Sequence, residues 1–335
     1  MEIRKLNTLR GLAALIVVAD HYSKQTGWFS MNLASGAGQL GVMLFFILSG
    51  FLMSHLYMQK EYNKSNVRNY IVSRAARVLP LFLLIVVLSY LAQGTSAQDV
   101  MYDIPTVNSL LSHLLLLNGV SVLWTIAPEV QFYVIFIAIW ALSRGWLGLL
   151  LAVAGLIMVV LFFWRFPDFE GEAWGLSIKF TLFRCLPYFI SGVVMGFLYS
   201  RLVVPNYLRS GWFVLTLLFI PLLYPRVYFA LKGVVHGSWQ DFGVLMVLTF
   251  VFFSVVFLVP DKNVFLANKL GDFLGKISYS LYLLHMPVLF LLLKFEISSL
   301  EVTFFCFIVL CLVTSYTSYR LIERPSSALI RRLRR

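Results

Sequence analysis

Charge is scarce in this chain of 335 residues: Asp, Glu, Lys and Arg together make up 13% of it, about half the share of a soluble domain. A solvated shell around a soluble core needs more than that, and no stretch is polar enough to supply one. Cysteine is scarce as well. Cys185, Cys306 and Cys311 all fall inside apolar runs, which argues against a disulfide framework or a zinc site and predicts free buried thiols. The sequence also lacks low-complexity tracts, repeats of roughly 20–50 residues, metal-ligand spacings and glycine-rich nucleotide loops.

What fills the chain is apolar. Hydrophobic residues reach 60% against roughly 45–50% in soluble proteins, more than one water-soluble core can bury, so the class is an integral membrane protein. Thirty Phe, eight Trp and sixteen Tyr, many of the Trp and Tyr where apolar runs meet polar loops, fit bilayer interfaces. Lys and Arg outnumber Asp and Glu by 12; in a membrane protein that excess signals orientation before it signals nucleic acid, and no nucleic-acid partner is expected.

A helix needs about 20 residues to cross roughly 30 Å of hydrocarbon. Cut at charged and Pro/Gly-bearing breaks, the apolar runs predict an all-α fold of about ten spans, at 7–23, 38–58, 79–93, 126–143, 146–164, 181–199, 211–225, 241–259, 277–293 and 300–319. The third and seventh are short, and residues 109–123 form a further apolar piece that suits a re-entrant segment. With the N-terminus inside, the cytoplasmic pieces hold 20 of the 27 cations, so both termini are expected in the cytoplasm and the localisation is the cytoplasmic (inner) membrane. Leu12 to Ala19 also has the outline of a signal-peptide core ending at Val17-Val18-Ala19; the motif running through it argues for its retention as a span. One membrane domain, 1–320, and a basic tail, 321–335, are expected. In the tail, Ala328, Leu329, Ile330 and Leu333 alternate with arginines, as in a short helix lying on anionic headgroups; topology anchoring is the plainer reading.

Ionisable groups inside spans cost at least roughly 2.5–3.5 kcal/mol at a helix centre, so those present need a reason. Arg10 and His21 stand eleven residues apart, only about 20° short of or past three full helical turns, with a rise of roughly 16 Å. Both therefore face one side of the bundle. Snorkelling explains Arg10 alone, and a bond to a neighbouring helix explains His21 alone. Asp20 sits about 100° around the helix. Arg74 and Arg77 share a helix face at the start of the predicted third span, where two guanidiniums suit phosphate and also suit positive-inside anchoring. From Trp124 to Tyr133, Pro128 fits the first turn of a helix, Glu129 its positive end, and Tyr133 the same face as Glu129. Glu129 is one of few anions close to the apolar bundle, available to Arg10 or His21. Ser278, Tyr282 and His285 form a polar stripe that Pro287 interrupts, and interhelical hydrogen bonding accounts for it as well as substrate contact does. Gly41, Ser49 and Gly50 suit close helix packing.

Taken in order, these pieces resemble the acyltransferase 3 family of polytopic membrane acyltransferases. Thr8-Leu9-Arg10-Gly11-Leu12-Ala13-Ala14 through His21 resembles its opening, Gly41 to Leu52 its second span, and Arg74-Ala75-Ala76-Arg77-Val78-Leu79-Pro80 its paired-arginine motif. Trp124 to Tyr133, Ile277 to His285 and Ile322-Glu323-Arg324-Pro325 follow in sequence. Asp20 before the histidine and Ala127-Pro128 depart from the family pattern.

The resemblance implies transfer of an acyl group, most often acetyl from acetyl-CoA, to a hydroxyl of a glycan or lipid-linked sugar. It implies His21 as general base, with acylation of the imidazole itself left open, Arg10 orienting the donor or stabilising negative charge, Glu129 positioning His21 or Arg10, and Arg74 and Arg77 holding CoA phosphates. The expected product is an O-acetylated surface polysaccharide such as O-antigen lipopolysaccharide or exopolysaccharide. The expected partners are acyl-CoA, the glycan and membrane lipids, with no metal and with self-association left open. A non-enzymatic glycolipid carrier or flippase, and a subunit of a polysaccharide synthase, are the competing classes. Acceptor choice is expected in the loops 24–37, 94–108, 165–180 and 226–240.

Overall fold

The computed structural model describes residues 3–143, 155, 168–295 and 297–332. Helix dominates: α1 (Arg4–Thr26), α2 (Ala37–Tyr57), α3 (Lys64–Ala92), α4 (Val107–Leu114), α5 (Ile126–Leu142), α6 (Leu182–Tyr199), α7 (Pro225–Lys232), α8 (Phe242–Phe253), α9 (Lys269–Leu293), α10 (Leu300–Ser318) and α11 (Arg324–Arg332). Between α5 and α6 stands an antiparallel hairpin, β1 (Phe169–Ala173) and β2 (Leu176–Phe180), where the sequence predicts a loop, 165–180. Its turn works because Trp174 and Gly175 both take positive φ, 53° and 74°, the left-handed pair that matches strand twist.

Among the described residues, six helices are long and apolar enough to cross a membrane, against the ten spans expected. The four shortfalls have separate causes. The helix expected at 146–164 lies outside the described residues. α1 is long enough at 23 residues, but Arg10, Asp20, His21 and Lys24 dilute its apolar character. α8 runs into a π-helical turn, Ser254–Leu258, and the pair is only 17 residues long at most. The seventh run forms Gly211–Leu222, largely 3-10 helix, then bends by 86° into α7, with Pro221 and Pro225 removing backbone donors at the break. The third helix, by contrast, starts fifteen residues before the expected 79, at Lys64, capped by the Asn63 side chain accepting from Asn66 N–H at 2.9 Å. Cys185 and Cys311 are buried free thiols as expected, whereas Cys306 is half-buried.

Two compact units divide the chain, each built from two stretches of sequence. The first comprises Met1–Gln59 and Cys185–Tyr279. Here α2 and the part of α6 in this unit pack with their backbones almost touching: a Cβ on Gly50 would overlap the Phe189 carbonyl, and one on Gly192 would overlap the Ile47 carbonyl. Small residues permit this approach where lipid offers no hydrophobic drive for association. Lys5, 1% exposed, spends its donors on the π turn, reaching the Val256 and Val259 carbonyls at 3.0 and 2.7 Å and Asp261 at 3.0 Å. A buried ammonium is tolerated when its protons are all engaged.

The second unit comprises Lys60–Arg184 and Ser280–Arg335. Pro287 lies inside α9 here and does not end the helix. Its missing N–H would strand the Leu283 carbonyl four residues back; the Tyr102 hydroxyl, on the segment between α3 and α4, donates to that carbonyl at 2.8 Å. The loop after α4 is pinned in the same way. His113 donates through Nδ1 to the Ser109 carbonyl at 2.7 Å and accepts at Nε2 from the Val120 N–H at 3.0 Å, which requires the neutral ring. Lys179 N–H on β2 donates to the Leu117 carbonyl at 2.8 Å, and Asn118 to Ser177 at 2.9 Å. These bonds tie the hairpin to the stretch that leads into α5.

Candidate functional site

Near its C-terminal end α3 exposes an apolar face of Leu84, Leu88 and Leu91; Ile71, 49% exposed, lies about 100–160° around the helix from it. Arg74 and Arg77 lie in the first half of this helix, Lys64–Ala92, which is long and apolar enough to cross a membrane. Arg74 is buried and Arg77 half-buried. Burial turns the Arg74 guanidinium into the protein.

Next to it in the same unit is α5. The 3-10 turn Ser121–Thr125 feeds directly into α5, which places Pro128 and Glu129 in its first turn. Tyr133, one turn on, donates its hydroxyl to Glu129 Oε1 at 2.7 Å, the short distance of a charge-assisted bond. Arg74 and Arg77 both lie within electrostatic reach of the Tyr133 hydroxyl. Tyr70 on α3 fixes this part of α5 by donating to the Tyr133 backbone carbonyl at 3.1 Å. Trp124 is held from the other end of the hairpin: Arg184 stacks its guanidinium 4.7 Å from the indole while bonding Asp168 at 2.8 Å.

α9 completes this half of the polar cluster. Tyr282 donates to the Val122 carbonyl and accepts from Thr125, both at 3.1 Å, so its part of the stripe buttresses the turn before Glu129. His285 bonds back to the Leu281 and Tyr282 carbonyls through Nδ1, and Ser278, in the first unit, bonds the Gly275 carbonyl. Glu323, part of the Ile322-Glu323-Arg324-Pro325 motif, has no role assigned from sequence. It accepts from Ser280, whose hydroxyl is also 3.1 Å from Ser318, and it lies within electrostatic reach of Arg77. A second carboxylate inside a helical run of mean span-like hydropathy, Leu300–Arg332, was the signal available. Arg77 is thus within electrostatic reach of Glu323 and, with Arg74, of the Tyr133 hydroxyl that bonds Glu129.

Arg10, His21 and Asp20 belong to the first unit. Arg10 and His21 are both half-buried on α1. His21 Nδ1 lies 3.0 Å from the Val17 carbonyl; a carbonyl only accepts, so Nδ1 carries the proton and Nε2 is the basic atom. Asp20 is buried and accepts from the Gly36 N–H at 3.3 Å, in front of the first turn of α2, where a carboxylate meets the positive end of the helix. That departure from the family pattern has a structural use.

A family profile described as an acyltransferase domain matches residues 3–320. The chain belongs to the acyltransferase 3 family. Among curated proteins it is 24% identical over 357 residues to the O-acetyltransferase OatA of Staphylococcus aureus strain NCTC 8325, covering 96% of this chain and 56% of that protein. A protein of S. aureus strain COL, whose name gives the O-acetyltransferase assignment provisionally, shows 24% identity over 354 residues with the same coverage. This acyltransferase 3 chain thus spans little more than half the length of the curated relatives it matches. No solved structure matches it.

Proposed function

We propose that the chain is an O-acetyltransferase of the cytoplasmic (inner) membrane, moving acetyl from cytoplasmic acetyl-CoA to a hydroxyl of a bacterial surface polysaccharide or lipid-linked sugar. The observation that carries the reading is the Arg74/Arg77 pair, buried and half-buried on α3 within electrostatic reach of the Tyr133 hydroxyl that bonds Glu129, in an acyltransferase family member. A glycolipid carrier has no need of two guanidiniums together with a histidine on a predicted span, whereas a CoA donor brings phosphates that match the pair. Both termini are assigned to the cytoplasm on the distribution of Lys and Arg.

In this reading Arg74 and Arg77 bind the donor phosphates, and Glu129, oriented by Tyr133, positions the polar groups around the reaction. His21 Nε2 takes the acceptor hydroxyl proton as that oxygen attacks the thioester carbon. Arg10, roughly 16 Å along α1 from His21, orients the donor. The C–S bond then breaks, the thiolate of CoA leaves with a proton returned from the imidazolium, and the acetyl ester remains on the sugar. The test is His21→Ala, expressed at native level. Acetylated glycan measured by mass spectrometry should vanish, and near-native product would overturn the assignment. Acetyl-CoA-dependent release of CoA by the purified chain separates the enzyme from a carrier or synthase subunit.

A further inference from the structure

The segment leading into α3 and the first two turns of that helix enclose a groove of about 360 Å³ in the second unit. Its walls are Tyr62, Val67, Ile71 and Val72, and its cations are Lys64 and Arg68. Three features fix its setting. First, Lys64, Arg68 and Ile71 follow i, i+4, i+7 spacing, so they form one stripe, and all three are exposed. Second, Arg68 and Lys64 lie about 4.5 and 10.5 Å along the helix before Ile71, so the stripe grades from cationic to apolar. Third, Arg74 and Arg77 point about 80° and 140° around the helix from Lys64, so the groove is not the arginine-pair site.

The walls are firm. Tyr62 packs edge-on against Trp140 with ring centres 5.5 Å apart, and Trp140 Nε1 donates to the Lys60 carbonyl at 3.2 Å. Glu61, the acidic neighbour, is bonded by the Asn63 side-chain amide at 3.2 Å and is not part of the lining, so the rim carries two cations against one nearby carboxylate.

We infer that this groove binds one anionic phospholipid of the phosphatidylglycerol class, its phosphate between Lys64 and Arg68 and the upper part of an acyl chain on Val67, Ile71 and Val72. An apolar floor with two cations at one end matches the charge and polarity profile of such a lipid end to end. Inorganic phosphate has no use for the exposed Ile71. On the positive-inside orientation the leaflet is the inner one, and the inference does not depend on acyl transfer.

The test is native mass spectrometry of the full chain in detergent, titrated separately with phosphatidylglycerol and phosphatidylcholine. Phosphatidylglycerol should be retained at least about five-fold better, and the double variant Lys64→Gln/Arg68→Gln should erase that preference while leaving phosphatidylcholine retention as it was. Both side chains are exposed, so elution as a single native-like peak is expected of the variant. If it fails to fold, the preference of the native chain between the two lipids still decides. Equal retention of the two lipids, native-like preference in the folded variant, or mole-for-mole displacement of phosphatidylglycerol by CoA would each overturn the inference, the last by giving the groove to the donor.

Discussion

Tyr133→Phe deletes one oxygen from the best-defined contact around the arginine pair. The hydroxyl donates to Glu129 at 2.7 Å, and a bond of that kind to a charged acceptor contributes about 1.5–3 kcal/mol. The backbone anchor survives, because Tyr70 bonds the Tyr133 carbonyl and not its ring, and the ring keeps its buried packing. If Glu129 must be held in one direction during transfer, the whole contribution is lost from the transition state. At about 1.4 kcal/mol per factor of ten, kcat falls about 10- to 150-fold. KM for acetyl-CoA should stay within about two-fold, since Arg74 and Arg77 are untouched; this split separates positioning from donor binding. Steady-state release of free CoA by purified protein measures both. Glu129→Gln should lower kcat as well, and adding Tyr133→Phe to it should lower kcat little further, because the two report one contact. A Tyr133→Phe enzyme with kcat within two-fold of native refutes the argument that Glu129 works in a fixed orientation.

Other consequences can be checked without knowing the acceptor. Tyr102→Phe leaves the Leu283 carbonyl without the donor that replaces the one Pro287 lacks, a loss of about 1–3 kcal/mol; thermal unfolding in detergent should fall by several degrees, and an unchanged midpoint would mean that the carbonyl finds water. His113 is buried and its pKa is lowered by desolvation below the ordinary histidine value. The neutral ring is therefore favoured in the folded chain: its stabilisation is complete above about pH 6.5, the unfolded value, and is lost as pH falls through the lower folded value. Protonation puts a hydrogen on Nε2, where the Val120 N–H now donates. Amide exchange at Val120, corrected for intrinsic rate, should accelerate between pH 7 and pH 5, and a flat profile would show that the ring does not hold this loop.

The membrane class and most helices were legible because apolar runs of span length announce themselves in composition. The Glu129–Tyr133 contact was legible too, since i, i+4 spacing on a helix makes neighbours whatever the tertiary fold. What stayed hidden depends on polarity or distance along the chain. The first fifteen residues of α3 carry Lys64, Arg68, Arg74 and Arg77 and so look like a loop to a hydropathy reading, although Asn63 is a proper helix cap. Hairpin strands of five residues with mixed polarity give no period to detect. Pro287 suggested an interruption because its repair comes from Tyr102, 181 residues from the carbonyl it serves. The contact of Glu323 escaped for the same reason: Ser280 lies 43 residues away. The roles of Arg10, His21, Glu129, Arg74 and Arg77 come from the family resemblance and rest on the experiments proposed above.

Of the three boundaries between the compact units, two cut through α6 and α9 and one falls in the loop after α2, and because the first unit is discontinuous this dictates an order of assembly. The bare backbone at Gly50 cannot meet its counterpart at Phe189 until the ribosome has made the intervening 60–184 stretch. At about 5–20 residues per second that is a wait of roughly 6–25 s. Throughout it, α2 sits in the bilayer with an open notch that lipid tails or another helix can enter. The insertion machinery, or a transient neighbour, must keep that notch clear, and neither unit can be cut out as a continuous fragment and expected to fold.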